Sequence, residues 1–173
     1  MSTFQTNLDI ATLEFNKSLQ VELQAYFKAT NNTIVFLDMF TRGLLSQLSS
    51  SYVTDELNYG SIVLNNSKSF INLLKAPSHL LKNPPTKKFA QESAEFICKK
   101  FKTNIGVSVS GIKGFPNIKN TIQTKVYLGF SFNDQINSRI IQCESTEKNN
   151  FEQIIHAVFG YLKMMFQKHI KTN

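Results

Sequence analysis

Residues 33–45 read T-I-V-F-L-D-M-F-T-R-G-L-L. The apolar run over 33–37 is short and continuous, which is typical of a strand that is buried on both faces of a sheet. Apolar residues after Thr41 predict a helix over about 41–50. The segment therefore predicts a strand-turn-helix unit whose turn exposes Asp38, Met39, Phe40, Thr41 and Arg42. Many α/β enzymes place a nucleophile at such a turn, so this turn is the first candidate for a site.

The rest of the chain continues the alternation of strands and helices. Apolar spacing predicts further helices over about 13–28, 65–75, 86–102 and 150–169, and strands over 59–64, 104–110, 124–132 and 138–143. The double proline predicts a bend over 80–85, residues 111–116 read as a loop, and Thr86 is a candidate helix cap. The last two strands form a hairpin around Asn133 and Asp134. This order predicts an α/β fold, a three-layer α/β/α sandwich with a mixed sheet.

Composition predicts one globular domain. The chain has 173 residues, 42% of them hydrophobic and 18% charged. Residues 1–12 read as a flexible tail or a short added element, and residues 13–173 as a single domain. No apolar run is long enough to span a bilayer and no signal peptide is evident, so we expect an intracellular protein, in the cytoplasm or a nucleus, without membrane contact.

The ionisable and sulfur-containing residues exclude several classes of site. The net charge is +7, but only Arg42 and Arg139 are arginines, and the lysines are spread along the chain. Such a surface permits weak contact with nucleic acid without favouring it. Cys98 and Cys143 have no metal-ligand spacing, and the three histidines are scattered. We therefore expect no metal and no cofactor.

The order of three motifs resembles the CinA C-terminal domain family, the nicotinamide-nucleotide amidases, over roughly residues 13–168. Residues 36–45, F-L-D-M-F-T-R-G-L-L, are similar to the family's A-E-S-C-T-G-G-L-L turn. Residues 59–77 resemble its Tyr-Ser-Asn segment, which contains a lysine and ends in Leu-Leu-Gly-Val-Pro. Residues 104–116, N-I-G-V-S-V-S-G-I-K-G-F-P, resemble its A-V-T-G-I-A-G-P-G-G loop. The resemblance implies the family's fold and, because its members commonly self-associate, a dimer or larger oligomer.

The resemblance also implies a chemistry, and this sequence departs from it. In the family a serine at the first turn attacks the amide of nicotinamide mononucleotide, with a lysine from the second segment as its base. A serine needs such a base. Here Met39 stands at the serine position and Asp38 at that of the preceding glutamate. Phe70 stands at the lysine position, with Lys68 two residues away. The family's arginine from the last helix has no counterpart after Arg139.

Other positions keep part of the family's pattern. Thr41 and Gly43 match its threonine and second glycine, Arg42 replaces its first glycine, and Ser110 replaces a threonine. The degenerate catalytic positions are Asp38, Met39, Thr41, Lys68, Phe70 and Ser110. The candidate ligand-binding residues are Thr41, Arg42, Gly43, Ser110, Gly111, Lys113 and Gly114. The segment from Gly111 to Gly114 is either an anion-binding loop with Lys113 as counter-charge or a plain connection.

Two functions remain open at this point. In the favoured one, the domain has lost amidase activity and acts as a non-catalytic binding or assembly module with a protein partner. In the alternative, it is an active amidohydrolase that deamidates nicotinamide mononucleotide or a related nucleotide with rearranged residues, among which Ser110 and Lys68 are the candidates. Nucleotide binding is compatible with both.

Overall fold

The fold is taken from a computed structural model that describes residues 17–82 and 85–172. The elements follow in the order α1 Lys17–Thr30, β1 Ile34–Asp38, α2 Leu44–Tyr52, β2 Asn58–Val63, α3 Ser67–Leu74, a 3₁₀ helix Ser78–Lys82, α4 Lys87–Phe101, β3 Ile105–Lys113, β4 Ile122–Phe132, β5 Gln135–Ser145 and α5 Glu147–Thr172. The predicted tail over 1–12 lies outside the described residues. Within those residues, no helix has both the length and the hydrophobicity needed to cross a bilayer.

The sheet has the strand order β2-β1-β3-β4-β5. Strands β1, β2 and β3 are parallel, whereas β4 and β5 are antiparallel to their neighbours. One hydrophobic cluster joins α1, α2 and α5 to one face of the sheet, and a second joins α3 and α4 to the other. The predicted three-layer α/β/α sandwich with a mixed sheet is therefore confirmed. The carboxyl ends of β1, β2 and β3 meet at one edge, where such folds place their ligands.

Helix α4 lies unusually close to the sheet, and this is possible because two sheet positions that face it are glycines. A Cβ atom at Gly106 would lie 2.2 Å from the carbonyl oxygen of Ala94, and one at Gly129 would lie 1.9 Å from that of Ala90. The Ser108 hydroxyl lies between these glycines and donates a hydrogen bond of 2.6 Å to the Ala90 carbonyl. Helix backbone and sheet backbone are thus in direct contact, which fixes α4 against β3 and β4.

The predicted elements are all found, with three corrections to their limits. Strand β3 continues through Gly111 to Lys113, because these residues pair with β4, so the predicted loop begins later. The predicted bend over 80–85 contains the end of a 3₁₀ helix. Helix α2 begins at Leu44, because the turn before it occupies three more residues than expected. The Thr86 side chain accepts a hydrogen bond from the Phe89 N–H, which confirms the predicted cap of α4.

Replacing Gly129 by alanine should strongly destabilise the protein, because the new methyl group would overlap the backbone of α4. We expect Gly129→Ala to lower the free energy of unfolding by about 3 kcal/mol, measured by urea denaturation. Gly160→Ala is the matched control. Gly160 lies within α5 with nothing within 4 Å of an added Cβ, so this change should raise stability by about 1 kcal/mol. Equal effects of the two substitutions would contradict the close approach.

Candidate functional site

The turn after β1 is organised by the buried carboxylate of Asp38. This side chain is completely buried at the end of β1. It accepts hydrogen bonds from the backbone N–H groups of Phe40, Thr41 and Gly43 at 2.9, 2.7 and 2.8 Å, and another from the Thr41 hydroxyl. Burial of a carboxylate is costly unless its oxygens are hydrogen-bonded. Here four donors satisfy it, so the carboxylate and the turn stabilise each other.

Thr41 connects this turn to α2. Its hydroxyl oxygen accepts a hydrogen bond of 3.1 Å from the N–H of Leu45, in the first turn of the helix. Arg42 and Gly43 both adopt the left-handed backbone conformation, with φ of 57° and 93°. Gly43 is the residue that caps the helix, and it provides no side-chain hydrogen bond. Thr41 therefore satisfies an N–H group of the helix, whereas the Asp38 carboxylate binds donors that precede the helix.

Met39 and Phe70, at the positions that correspond to the family's nucleophile and base, belong to a single hydrophobic cluster. Phe70 is completely buried and forms edge-to-face contacts with Phe89 and Phe96, at centroid distances of 6.5 and 5.5 Å. Met39 is half-buried and packs against the same cluster. The fold thus brings these two positions into one region, as a catalytic pair requires, but the side chains present make only apolar contacts.

Ser110 lies beside this region on the neighbouring strand. Asp38 pairs with Val109, and the Met39 N–H donates to the Val109 carbonyl oxygen at 2.8 Å, so Met39 and Ser110 follow on adjacent strands. Ser110 is only 3% exposed, and its hydroxyl has no hydrogen-bond partner within the part of the chain that the structure describes. Lys68 is exposed on α3 and makes no contact with Ser110 there.

An aromatic side chain fills the space above Gly111. A Cβ atom at Gly111 would lie 2.8 Å from Cδ2 of Phe40, so the ring rests directly on the glycine backbone. The Phe40 ring also contacts the ring of Phe151 in α5, edge to face, with 6.0 Å between the ring centroids. Phe40 therefore packs between the end of β3 and the first turns of α5, beside Gly111 and on the opposite face of the sheet from Met39 and Phe70.

The two basic residues at this edge share one acidic partner. Glu147, the first residue of α5, forms an ion pair with Arg42 at 3.4 Å and another with Lys113. The N–H of Gly114 donates to the Gln123 carbonyl oxygen at 2.8 Å. The expected anion loop over 111–114 is therefore largely strand, its lysine is paired, and one of its N–H groups is used. The predicted loop is therefore wrong over residues 111–113, which are strand, and anion binding by this segment stays a prediction.

The sequence matches a known family across almost the whole chain. A model of the CinA C-terminal domain matches residues 16–166. The chain belongs to the CinA C-terminal domain family. A comparison of the sequence with curated proteins finds no match.

Solved structures of CinA proteins share the fold at low sequence identity. A competence or damage-inducible protein from Enterobacter asburiae is 15% identical with a TM-score of 0.72, covering 86% of this chain and 96% of its own. A CinA superfamily protein from Klebsiella pneumoniae is 15% identical with a TM-score of 0.72, and the match covers 87% of this chain and 97% of that one. A CinA superfamily protein from Escherichia coli is 12% identical with a TM-score of 0.67, and the match covers 93% of this chain and 98% of that one. At these identities the comparison establishes the shared fold.

Sequence reasoning missed two residues that contact the β1 turn, Glu147 and Phe151. Both lie in the first turns of α5 and meet residues of the β1 turn more than 100 positions earlier. An acidic residue at the start of a long amphipathic helix is a recognisable signal, since it interacts favourably with the helix dipole. Its partners follow only from the sheet order. Among the described residues, no group of three metal-ligating side chains comes together.

Replacing Asp38 by asparagine tests the role of the carboxylate in this turn. An amide keeps one acceptor oxygen and directs an NH₂ group at donors that now lack a partner. We expect Asp38→Asn to lower the free energy of unfolding by about 3 kcal/mol, measured by urea denaturation. The control is Asp134→Asn, the same change in the exposed β4–β5 turn, which should leave stability within about 0.5 kcal/mol. A change at Asp38 as small as that at Asp134 would contradict the role of the carboxylate.

Proposed function

We propose that this CinA-family domain has lost amidase activity and acts as a non-catalytic binding or assembly module. The observation that carries the proposal is the joint packing of Met39 and Phe70. Methionine has no proton to transfer and phenylalanine cannot act as a base, so neither step of acyl transfer has a group to perform it. Because Phe70 is completely buried in this apolar cluster, a lysine at its position would place a charge among hydrocarbon.

The mouth of the site supports the same proposal. Phe40 rests on Gly111, at the strand end that leads into the loop where a substrate's anionic group is expected. Arg42 and Lys113, the two cations available there for a phosphate, are both held by Glu147. A ligand anion would have to compete with this carboxylate and displace an aromatic ring. The retained turn at Asp38 then serves the fold, and binding takes place through other surfaces.

One observation favours the alternative, an amidohydrolase with rearranged residues. The Ser110 hydroxyl is buried without a described hydrogen-bond partner, as a nucleophile awaiting a substrate can be. A nucleophile also needs an activating base within hydrogen-bond reach. The described residues provide none, since Lys68 is exposed on α3. The non-catalytic function is therefore preferred.

Release of ammonia from nicotinamide mononucleotide separates the two functions. We expect the full chain to release ammonia at the rate of the buffer blank, measured by a coupled ammonia assay over hours at high protein concentration. A Met39→Ser variant should be equally inactive, because the serine would still lack a base. A bacterial amidase of known activity serves as the positive control.

The variants Ser110→Ala and Lys68→Ala decide how any turnover is interpreted. Turnover by the natural chain that either substitution abolishes would overturn the non-catalytic proposal and establish the rearranged site. Turnover that survives both changes would be assigned to a contaminating amidase. The folded state of each variant is checked by its urea transition, so that loss of structure is not mistaken for loss of chemistry.

As an assembly module, the domain should associate with itself as a dimer or larger oligomer and with a protein partner. We expect sedimentation velocity at micromolar concentrations to show a species at twice the 19.7 kDa chain mass or more. A single monomeric species over the whole concentration range would contradict the self-association part of the proposal and leave only a heterologous partner.

A further inference from the structure

A cleft lies between the C-terminal half of α5 and the β4–β5 hairpin. It has a volume of about 300 Å³, at the lower limit of small-ligand sites. The first residue of α5 that lines it is Tyr161. Tyr161 lies about 20 Å along α5 from Glu147, which is at the edge of the sheet that carries the β1 turn. The cleft therefore belongs to a different part of the molecule from the degenerate amidase site, and ligand binding in it does not depend on whether amidase activity was lost.

The cleft is lined by both basic and apolar side chains. Arg139, Lys168 and His169 line it, and no acidic side chain is among its described lining residues. Its apolar part comes from Phe132, Tyr161 and two methionines, Met164 and Met165. Methionine side chains adapt readily to ligands of different shape. This combination suits a ligand with one negative group and an apolar body.

Arg139 is the residue best placed to bind the negative group. Its guanidinium lies 4.5 Å above the ring of Tyr161, which in turn stacks on Phe130. This cation–π contact fixes the position of the guanidinium at the cleft, and the group carries five N–H donors. One of these groups makes a long hydrogen bond of 3.4 Å to the Ser138 carbonyl oxygen. Among the described residues, Arg139 has no carboxylate partner, whereas Arg42, the other arginine of the chain, is paired with Glu147.

The surroundings favour a carboxylate over a phosphate. Helix α5 ends at Thr172, so the partial negative charge of its last carbonyl groups lies at the end of the cleft formed by Lys168 and His169. That charge opposes a doubly charged phosphate more than a single carboxylate. The arginine edge matches the two oxygens of a carboxylate in a bidentate pair. Side-chain amides of Asn133, Gln135 and Asn137 line the same wall and can accept or donate to further polar atoms of the ligand.

We propose that this cleft binds a carboxylate attached to an aromatic or aliphatic body, with Arg139 as the anion-binding residue and Tyr161 and the methionines as the apolar wall. A free small acid and the C-terminal end of a peptide chain with an apolar last residue both present this chemistry.

Two probes distinguish the two sources of the carboxylate. The free acid is 1-naphthaleneacetate, with the neutral 1-naphthalenemethanol as its control. The peptide is acetyl-Gly-Gly-Phe with a free terminal carboxylate, with its terminal amide as control. Binding of the full chain is measured by isothermal titration and by ¹H–¹⁵N NMR shifts, which we expect to be largest around Arg139 and Tyr161. Saturation by the acid assigns the site to small molecules, and saturation by the peptide alone assigns it to a chain terminus.

Substitutions of the two arginines provide matched variants. We expect Arg139→Gln to weaken binding of the carboxylate probe at least about tenfold. Arg139→Lys should weaken it less, because lysine keeps the positive charge but cannot form the planar, bidentate hydrogen bonds of a guanidinium. Arg42→Gln makes the same charge change at the other end of α5 and should leave binding unchanged. Arg139 is exposed, so the variants should remain folded.

Three results would overturn the proposal: no saturable binding of either carboxylate, equal binding of each acid and its neutral control, or equal loss of affinity in Arg42→Gln and Arg139→Gln. The last two would show apolar adsorption or attraction to the overall positive charge. None of these results bears on amidase activity, which the ammonia assay tests separately.

Discussion

The structure of the β1–α2 connection depends on one buried carboxylate. Asp38 ends the central strand, and its two oxygens bind three backbone N–H groups and one hydroxyl of the turn that follows. Because β1 lies between β2 and β3, this turn also sets where the neighbouring strand ends meet. The Asp38 carbonyl accepts from Leu64 after β2, and Met39 donates to Val109 of β3. The Asp38 side chain thus organises the turn, and the backbone on either side of it joins the ends of β2 and β3.

This arrangement is compatible with the proposed loss of amidase activity. The groups that hold the turn, Asp38, Thr41 and Gly43, are distinct from the groups at the catalytic positions. Met39 and Phe70 lie in an apolar cluster on the other face of the sheet, where larger hydrophobic side chains add packing. Where the resemblance implies a serine and a lysine, methionine and phenylalanine leave the packed core no polar group to satisfy. The substitutions are therefore compatible with the fold, and they favour a domain that binds without turnover.

Local patterns in the sequence predicted the elements well, and the CinA C-terminal family is confirmed. The apolar run at 34–37 and the spacing in α5 follow directly from period and burial, and Thr86 was recognisable as a cap. Contacts between distant segments could not be predicted in the same way. Glu147 pairs with Arg42 and Lys113 only because β3 and the start of α5 reach the same edge. The extension of β3 through Gly111 was also missed, since a glycine pair reads locally as a loop, whereas pairing with β4 continues to Lys113.

We infer that the β1 turn is kept for structure and that Phe40 and the Glu147 ion pairs obstruct nucleotide binding beside it. The most direct measurement is a titration of the ¹⁵N-labelled chain with nicotinamide mononucleotide, followed at the backbone amides of Thr41, Ser110 and Gly111. The account predicts no saturable shift of these amides up to millimolar nucleotide. Saturable shifts confined to these residues would contradict it, because they would show that the site still opens to its relatives' ligand.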